Sequence, residues 1–352
     1  MALSRTLQTR LKIWALTSAL AGLAGTGYAY VTATTGLYDW VAWRGWLGFC
    51  TGLAIGATTG AFEFLWMPSR QGRRLRRHRL IHVLAVRTLV HLTLIVAGIA
   101  SVRLLFYLQF PEDKAVLLSE IWRIPLFALI VILVFLFIVQ MRSLIGARTL
   151  ANLLLGRYHR ARKEERIFLF LDVEGSTSVA AELGDVRFHA FLAKFFHEAD
   201  EIVSNHGGEI LSYVGDAMIV TWPMGNPEEN ARVIAALGEI AAYTREAAAD
   251  YEAEFGIAAG FRAAVHGGPV VAGEYGSSKR QITYLGDVVN ATARLENLGK
   301  SLKVRIAVSQ QLVDRMRLPD GAASKPLGEH PLKGIKAPMG VCEIAFPSPG
   351  AP

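Results

Sequence analysis

Phe168-Leu-Phe-Leu-Asp-Val-Glu-Gly-Ser-Thr177 runs from an apolar strand into a carboxylate, then turns through glycine into hydroxyl residues fit to cap a helix. With Ile167 included, five apolar positions without alternation predict a strand buried on both faces. A carboxylate at the end of such a strand is costly to desolvate unless it holds something. Everything before this stretch reads as membrane. Everything after it reads as a soluble α/β domain that completes its chemistry.

The 352 residues leave room for two domains, and the hydrophobic 52% is concentrated before residue 140. Charge is divided as well. Residues 1–165 hold 20 Lys and Arg against 7 Asp and Glu, whereas residues 166–352 hold 17 against 23. The overall charge of +7 therefore does not describe the soluble half, which argues against a nucleic-acid partner. The basic surplus suits a membrane surface. Cys50 and Cys342 alone supply neither a disulfide framework nor a cysteine metal site.

Four apolar runs, roughly 11–33, 46–67, 80–106 and 121–140, each reach the length of about 20 residues that a bilayer crossing needs. Arginine and lysine crowd the N-terminus (Arg5, Arg10, Lys12), the second connection (Arg70, Arg73, Arg74, Arg76, Arg77, Arg79) and the segment after the fourth run. The other two connections hold little beyond Arg44 and Lys114. This asymmetry predicts a four-span membrane domain over residues 1–141, in the plasma or inner membrane, with both termini cytoplasmic. A cleaved leader is the alternative for the first run, which is longer than a usual leader core. Within the spans, Glu63, Arg87 and His91 need partners. A Glu63–Arg87 or Glu63–His91 pair fixing helix packing is expected, with a ligand on His91 as the alternative.

Residues 142–165 are expected to be a helical linker. Leu144, Ala147, Ala151, Leu154, Tyr158 and Ala161 form one apolar stripe, suited to a short parallel coiled coil or to a helix lying on the bilayer. From residue 166 strands and helices alternate through 345, and 346–352 is a Pro/Gly-rich tail. Expected are one helix over 178–205, a hairpin in Glu209-Ile-Leu-Ser-Tyr-Val-Gly-Asp-Ala-Met-Ile-Val-Thr-Trp222, and an Ala-rich helix over 228–255. Short strands at 261–266 and 270–272, a helix over 288–298 and a strand at 304–308 complete the list.

Asp172 ends the first strand, and Asp216 sits at the turn of the hairpin that can lie beside it. Two carboxylates and the Val173 carbonyl make a hard oxygen site suited to Mg²⁺ or Mn²⁺ held with a nucleotide's phosphates. The Gly175-Ser176-Thr177 turn opens a helix whose N–H groups would face those phosphates. Taken alone, an aspartate at a turn is more commonly just a turn residue.

Asp172-Val-Glu-Gly-Ser-Thr177, Tyr213-Val-Gly-Asp216 and Tyr284-Leu-Gly-Asp-Val-Val-Asn-Ala-Thr-Ala-Arg294 resemble, in order and spacing, the signatures of class III nucleotidyl cyclases. The resemblance covers about residues 166–345. It implies a ferredoxin-like palm and a homodimer with shared active sites, the linker and membrane helices joining in the pairing. It implies that Asp172 and Asp216, with the Val173 carbonyl, hold two Mg²⁺ or Mn²⁺ ions. Asn290 and Arg294 resemble the pair that orients ribose and stabilises the transition state, and Lys333 the lysine that grips the triphosphate, with Lys336 as the nearby alternative. Thr283 and Ser212 fall at the base-reading positions. Thr283 suits the adenine amino group, whereas Ser212 stands where many members have lysine. Neither is the acidic residue that guanylate cyclases use, so ATP is the expected substrate. A guanylate or relaxed purine cyclase and an inactive nucleotide-sensing receptor are the alternatives. Pro269, in Val265-His-Gly-Gly-Pro269, stands where some relatives carry a phosphate-contacting arginine, a role left to Arg262 or Lys279.

Overall fold

A computed structural model describes residues 5–32, 38–67, 69, 71–72, 75, 80–109, parts of 126–141, 152, 156–276, 281–334 and 337–346. The chain forms two compact units, 1–141 and 142–352.

In the first unit, α1 (Arg5–Thr32) packs on α2 (Tyr38–Ala61), which passes into one π-helical stretch (Phe62–Trp66); α3 (Leu80–Gln109) follows. Gly48, Gly52, Gly56 and Gly60 recur every fourth residue on α2. Side-chain carbon added to Gly52 would strike the Ala21 carbonyl, and on Gly25 it would strike the Gly48 carbonyl. Small residues thus let two backbones touch, the packing that helices use where no hydrophobic gain drives them together. The Trp14 indole adds a hydrogen bond to the Ala57 carbonyl at 2.8 Å. Of the two pairings open to Glu63, the structure forms the one with Arg87, whose guanidinium donates to the Glu63 carboxylate. His91 is fully buried, its Nδ1 bonded to the Arg87 carbonyl at 2.7 Å and its ring edge-on to Phe62.

Among the described residues, Ala85–Leu105 within α3 is the one stretch long and apolar enough to cross a membrane. Helices α1 and α2, of 28 and 24 residues, have the length. The glycine, alanine and threonine that pack them together dilute their hydropathy. Half of the fourth expected run lies outside the described residues, so the four-span arrangement is not established by the helices.

The second unit is one eight-stranded sheet. Its elements are β1 (Arg162–Val173), α4 (Ser176–Leu183), α5 (Asp185–Asn205), β2 (Glu209–Val214), β3 (Ala217–Pro223), α6 (Pro227–Asn230), α7 (Arg232–Glu246) and α8 (Ala248–Phe255). Then follow β4 (Phe261–Tyr275), β5 (Gln281–Leu285), α9 (Asp287–Leu302), β6 (Ile306–Ser309), α10 (Gln310–Val313), β7 (Ala323–His330) and β8 (Met339–Ala345). The strand order is β2-β3-β1-β4-β6-β8-β7, with β5 paired to β4. Its first four strands and their two helical crossovers make the expected ferredoxin-like palm.

β1 is buried on both faces, as its lack of alternation predicts. Ile167, Leu169, Leu171 and Val173 enter the main core with Phe191, Phe195, Leu237 and Phe255 from the helices. Phe168 points the other way, into a smaller core with Val270 and Val288. Period 2 therefore sends Asp172 to the α9 face.

Several boundaries differ from expectation for local reasons. β1 begins at Arg162, because residues 162–165 keep pairing with 269–272 of β4. Tyr158 and Ala161 consequently lie outside any helix, and Tyr158 is buried; residues 142–151 lie outside the described residues. The 178–205 helix is broken at Gly184, whose φ of 73° suits glycine. The Ala-rich helix is three short ones. The two strands expected around Gly267-Gly268-Pro269 are one, β4. Pro269 is tolerated because β6 pairs at 263–265 and β5 at 271–275, leaving that stretch only β1 as neighbour. Strands β5, β7 and β8 were not foreseen.

Arg166 is a cation buried within this sheet, at 2% exposure. Its guanidinium bonds Thr221 at 3.1 Å, Glu164 at 3.2 Å and Glu209 at 2.9 Å, and lies over the Tyr284 ring at 4.7 Å. One side chain on β1 thereby ties down β2, β3 and β5. Arg166→Met would strip Glu164 and Glu209 of their shared cation in a low-dielectric site. It is expected to destabilise the second unit by about 3–5 kcal/mol, read by chemical unfolding.

Candidate functional site

The carboxylate pair is assembled by strand register. Asp172 sits opposite Ala217 of β3, one residue after Asp216. Between β2 and β3 the chain reverses through Gly215, at φ 63°. The Val173 N–H closes the corner on the Asp216 carbonyl at 3.2 Å. Asp172 and Asp216 thus stand close enough to influence each other's ionisation, with Ser176 favouring the charged form of Asp216. Carboxylates this close cannot both ionise freely. Burial, reinforced by Asp216, pushes Asp172 above the usual range, although Lys300 pulls the other way. Burial would also raise Asp216, but the Ser176 hydroxyl and the Asp172 carboxyl outweigh it and leave Asp216 low. The Lys300 ammonium lies 2.7 Å from Asp172 Oδ2 and 2.7 Å from Glu296 Oε1.

The donor set fits a divalent cation of the Mg²⁺ type. It consists of hard carboxylate oxygens converging at a strand end, already carrying a cationic partner. Among the described residues no group of three His, Cys, Asp or Glu could ligate a metal by itself. Such an ion would therefore need the Val173 carbonyl, water or substrate oxygens as further ligands.

Next to this pair, α4 starts at Ser176 behind Gly175, which has φ 68° and no side-chain cap. The first N–H groups of the helix are thus free of a side-chain acceptor, as an anion site requires. Arg262 lies opposite Asp172 on β4, but its guanidinium is engaged by Glu174 at 2.9 Å. Lys279 and Lys336 lie outside the described residues.

A second cluster is carried by α9. Asn290 is exposed and Arg294 half-buried, four residues apart on one face. The Arg294 guanidinium packs against Gly334, so that Lys333 is exposed beside it. Gly334 has φ 72° and leaves no room for a side chain there.

The two positions expected to read the base lie on different strands. Ser212 is half-buried on β2, just past an irregularity in the pairing between Ile210 and Ser212. Thr283 is on β5, and its hydroxyl is buried with no hydrogen-bond partner. Such an orphan is costly unless a ligand satisfies it.

Three participants were not singled out from sequence. Glu296 and Lys300 form a readable i,i+4 pair, but the contact of Lys300 with a strand end 128 positions earlier is visible only in the fold. The partners of Arg166 on β2, β3 and β5 lie 43 or more positions away, so nothing local marks its role.

Comparison with known proteins gives the family and the fold. A family model described as "Adenylate and Guanylate cyclase catalytic domain" matches residues 159–342. The chain is 34% identical over 334 residues to the Rhizobium meliloti (strain 1021) protein named Adenylate cyclase 2, covering 92% of this chain and 88% of that one. A longer protein of the same organism, named Adenylate cyclase 1, is 27% identical over 191 residues, or 52% of this chain and 28% of its own length. Among solved structures, a bacterial light-regulated adenylyl cyclase superposes with a TM-score of 0.52 at 22% identity, covering 63% of this chain and 65% of that one.

Thr283→Val keeps shape and removes the orphan hydroxyl. Without nucleotide, stability should be unchanged or rise by up to about 1 kcal/mol. Purine nucleotide affinity should fall in the same protein, measured by calorimetry.

Proposed function

Because the chain belongs to the class III nucleotidyl cyclases, we propose that it is a membrane-anchored adenylate cyclase, converting ATP to 3′,5′-cyclic AMP and pyrophosphate in a homodimer. The observation that carries this reading is the Asp172–Asp216 carboxylate pair brought together by strand register, with Asn290 and Arg294 held on a separate helix.

The substrate's 3′-hydroxyl oxygen attacks the α-phosphorus as the bond to the bridging oxygen breaks. The hydroxyl proton is released and pyrophosphate leaves. Divalent ions held by Asp172, Asp216 and the Val173 carbonyl would acidify the hydroxyl and neutralise charge on the phosphates. The protein's own part is positioning and charge stabilisation. The N–H groups at Gly175, Ser176 and Thr177 face the phosphates, and Lys333 grips the far end of the triphosphate. Asn290 orients the ribose, and the Arg294 guanidinium meets charge developing at phosphorus. Thr283 accepts from the adenine amino group through its otherwise unpaired hydroxyl, and Ser212 bonds the purine ring.

The geometry of α9 supports a shared site. Lys300 touches Asp172, whereas Asn290 is ten residues earlier, about 15 Å along the helix axis. One α-phosphate cannot be served by both ends of that helix in a single chain. A second copy would bring its Asn290 and Arg294 to the first copy's Asp172 and Asp216.

Membrane anchoring has several supports: the apolar span in α3, the close glycine packing of α1 on α2, and large exposed apolar residues such as Leu20, Leu23, Leu89 and Leu104 on these helices. The arginine distribution favours a multi-pass arrangement with both termini cytoplasmic.

Purified protein incubated with ATP or with GTP, under Mg²⁺ or Mn²⁺, is expected to form cyclic AMP from ATP; cyclic GMP as the sole product would remove the adenylate reading. Asp216→Ala and Asn290→Ala should each lose activity while remaining folded. Mixed as confirmed heterodimers they should regain part of it, since one hybrid site keeps every group. Absence of recovery would count against the shared site.

A further inference from the structure

Lys300 belongs to none of the motifs that define the site, yet its ammonium makes the shortest ion pairs among the described residues of the second unit. It is 2.7 Å from Asp172 Oδ2 and 2.7 Å from Glu296 Oε1. A solvent-facing lysine at this point of α9 would be satisfied by Glu296 alone, one turn away. Instead it also reaches a carboxylate that is 9% exposed, at the end of a central strand. Its backbone is held firmly: Gly299 is buried under Ala307 and Val304, and α9 ends just beyond at Lys303 in a left-handed conformation.

The charges count in favour of a role. Asp172, Asp216 and Glu296 are three carboxylates, and Lys300 is the cation placed among them. Fully ionised, the three carry two negative charges beyond that of the lysine, which the entry of a divalent ion would meet. An ammonium on Asp172 and a metal ion on Asp172 repel each other at contact distance, so both cannot hold that oxygen at full strength. Glu296 offers the ammonium a second resting place without leaving the lysine unpaired.

We infer that Lys300 is a tethered counter-ion of the metal site, bound to Asp172 in the unloaded protein and shifted towards Glu296 when a divalent ion enters. It therefore sets the affinity of that site. The inference rests on the reading of Asp172 and Asp216 as metal ligands. It makes Lys300 a positioning residue: it keeps the carboxylate pair assembled before loading, at the cost of weaker metal binding.

The test is Mn²⁺ binding to the full-length protein without nucleotide, with free Mn²⁺ followed by electron paramagnetic resonance. Lys300→Met should bind about tenfold more tightly than the wild type, the scale of removing one partly buried ion-pair partner. Lys300→Arg, which keeps the charge, should stay near the wild type, and Asp172→Asn should lose the site. Lys300→Gln serves as the second neutral variant should the Met protein fold poorly. In both neutral variants Mn²⁺ should raise the unfolding temperature by more than in the wild type. Asp172-dependent binding of unchanged or lower affinity in the neutral variants would overturn the role of Lys300 and leave the metal site standing. No Asp172-dependent binding in any of these proteins would overturn both.

Discussion

A guanidinium buried at the centre of a sheet is an expensive object, and Arg166 is kept there by four partners at once. Two carboxylates, a threonine hydroxyl and the face of Tyr284 replace the water it has lost. The consequence is geometric. Glu209 stands three residues before Ser212, and Tyr284 directly follows Thr283. The two strands that carry the base-reading positions are therefore both referenced to β1, whose far end carries Asp172. A network that looks structural thus sets the distance between the place where a purine would lie and the place where its phosphates would be held.

The other organising element is α9, which has two tasks on two of its faces. Its N-terminal half presents Asn290 and Arg294, the latter fixed against Gly334 beside Lys333. Its C-terminal half reaches back to the carboxylate pair through Lys300. A rigid helix cannot bring its own two ends to one phosphorus atom. In the proposed dimer this rigidity would make half-sites useful: the spacing within one chain is fixed, so the catalytic distance would be set by how two chains dock.

Much of this was legible in the sequence, and the residues show why. The apolar run at 167–171 lacks alternation because both faces of β1 are covered, and a period-2 reading finds that without a structure. Asp216 was placed by its hairpin, since Gly-Asp between two strand-like runs has few other uses. The spacing of Asn290 and Arg294 needed only the helical repeat. What stayed hidden was non-local. β5, β7 and β8 are stabilised by pairing with distant strands, and β7 carries proline and glycine that argue against a strand on local grounds. The roles of Arg166 and Lys300 depend on contacts 43 to 128 positions away. In the first unit the Glu63–Arg87 pair was among the options, because an apolar surrounding leaves a charge few choices.

The glycines of α2 bear on the proposed dimer. They lower the hydropathy of that helix, yet they are the feature that makes sense in lipid, where helices gain little from burying apolar surface and gain instead from close backbone contact. A soluble helix pair would fill that seam with leucine. The exposed leucines lie elsewhere on these helices, and in a bilayer they need no other cover. A protein whose active site is split between two chains benefits from this anchoring in a specific way. In the proposed membrane-anchored dimer, confinement to a plane would replace a bimolecular encounter by an effective concentration in about the millimolar range. A weak interface between catalytic units then suffices to assemble the site. A weak interface is also the kind that a small change elsewhere in the chain can open or close.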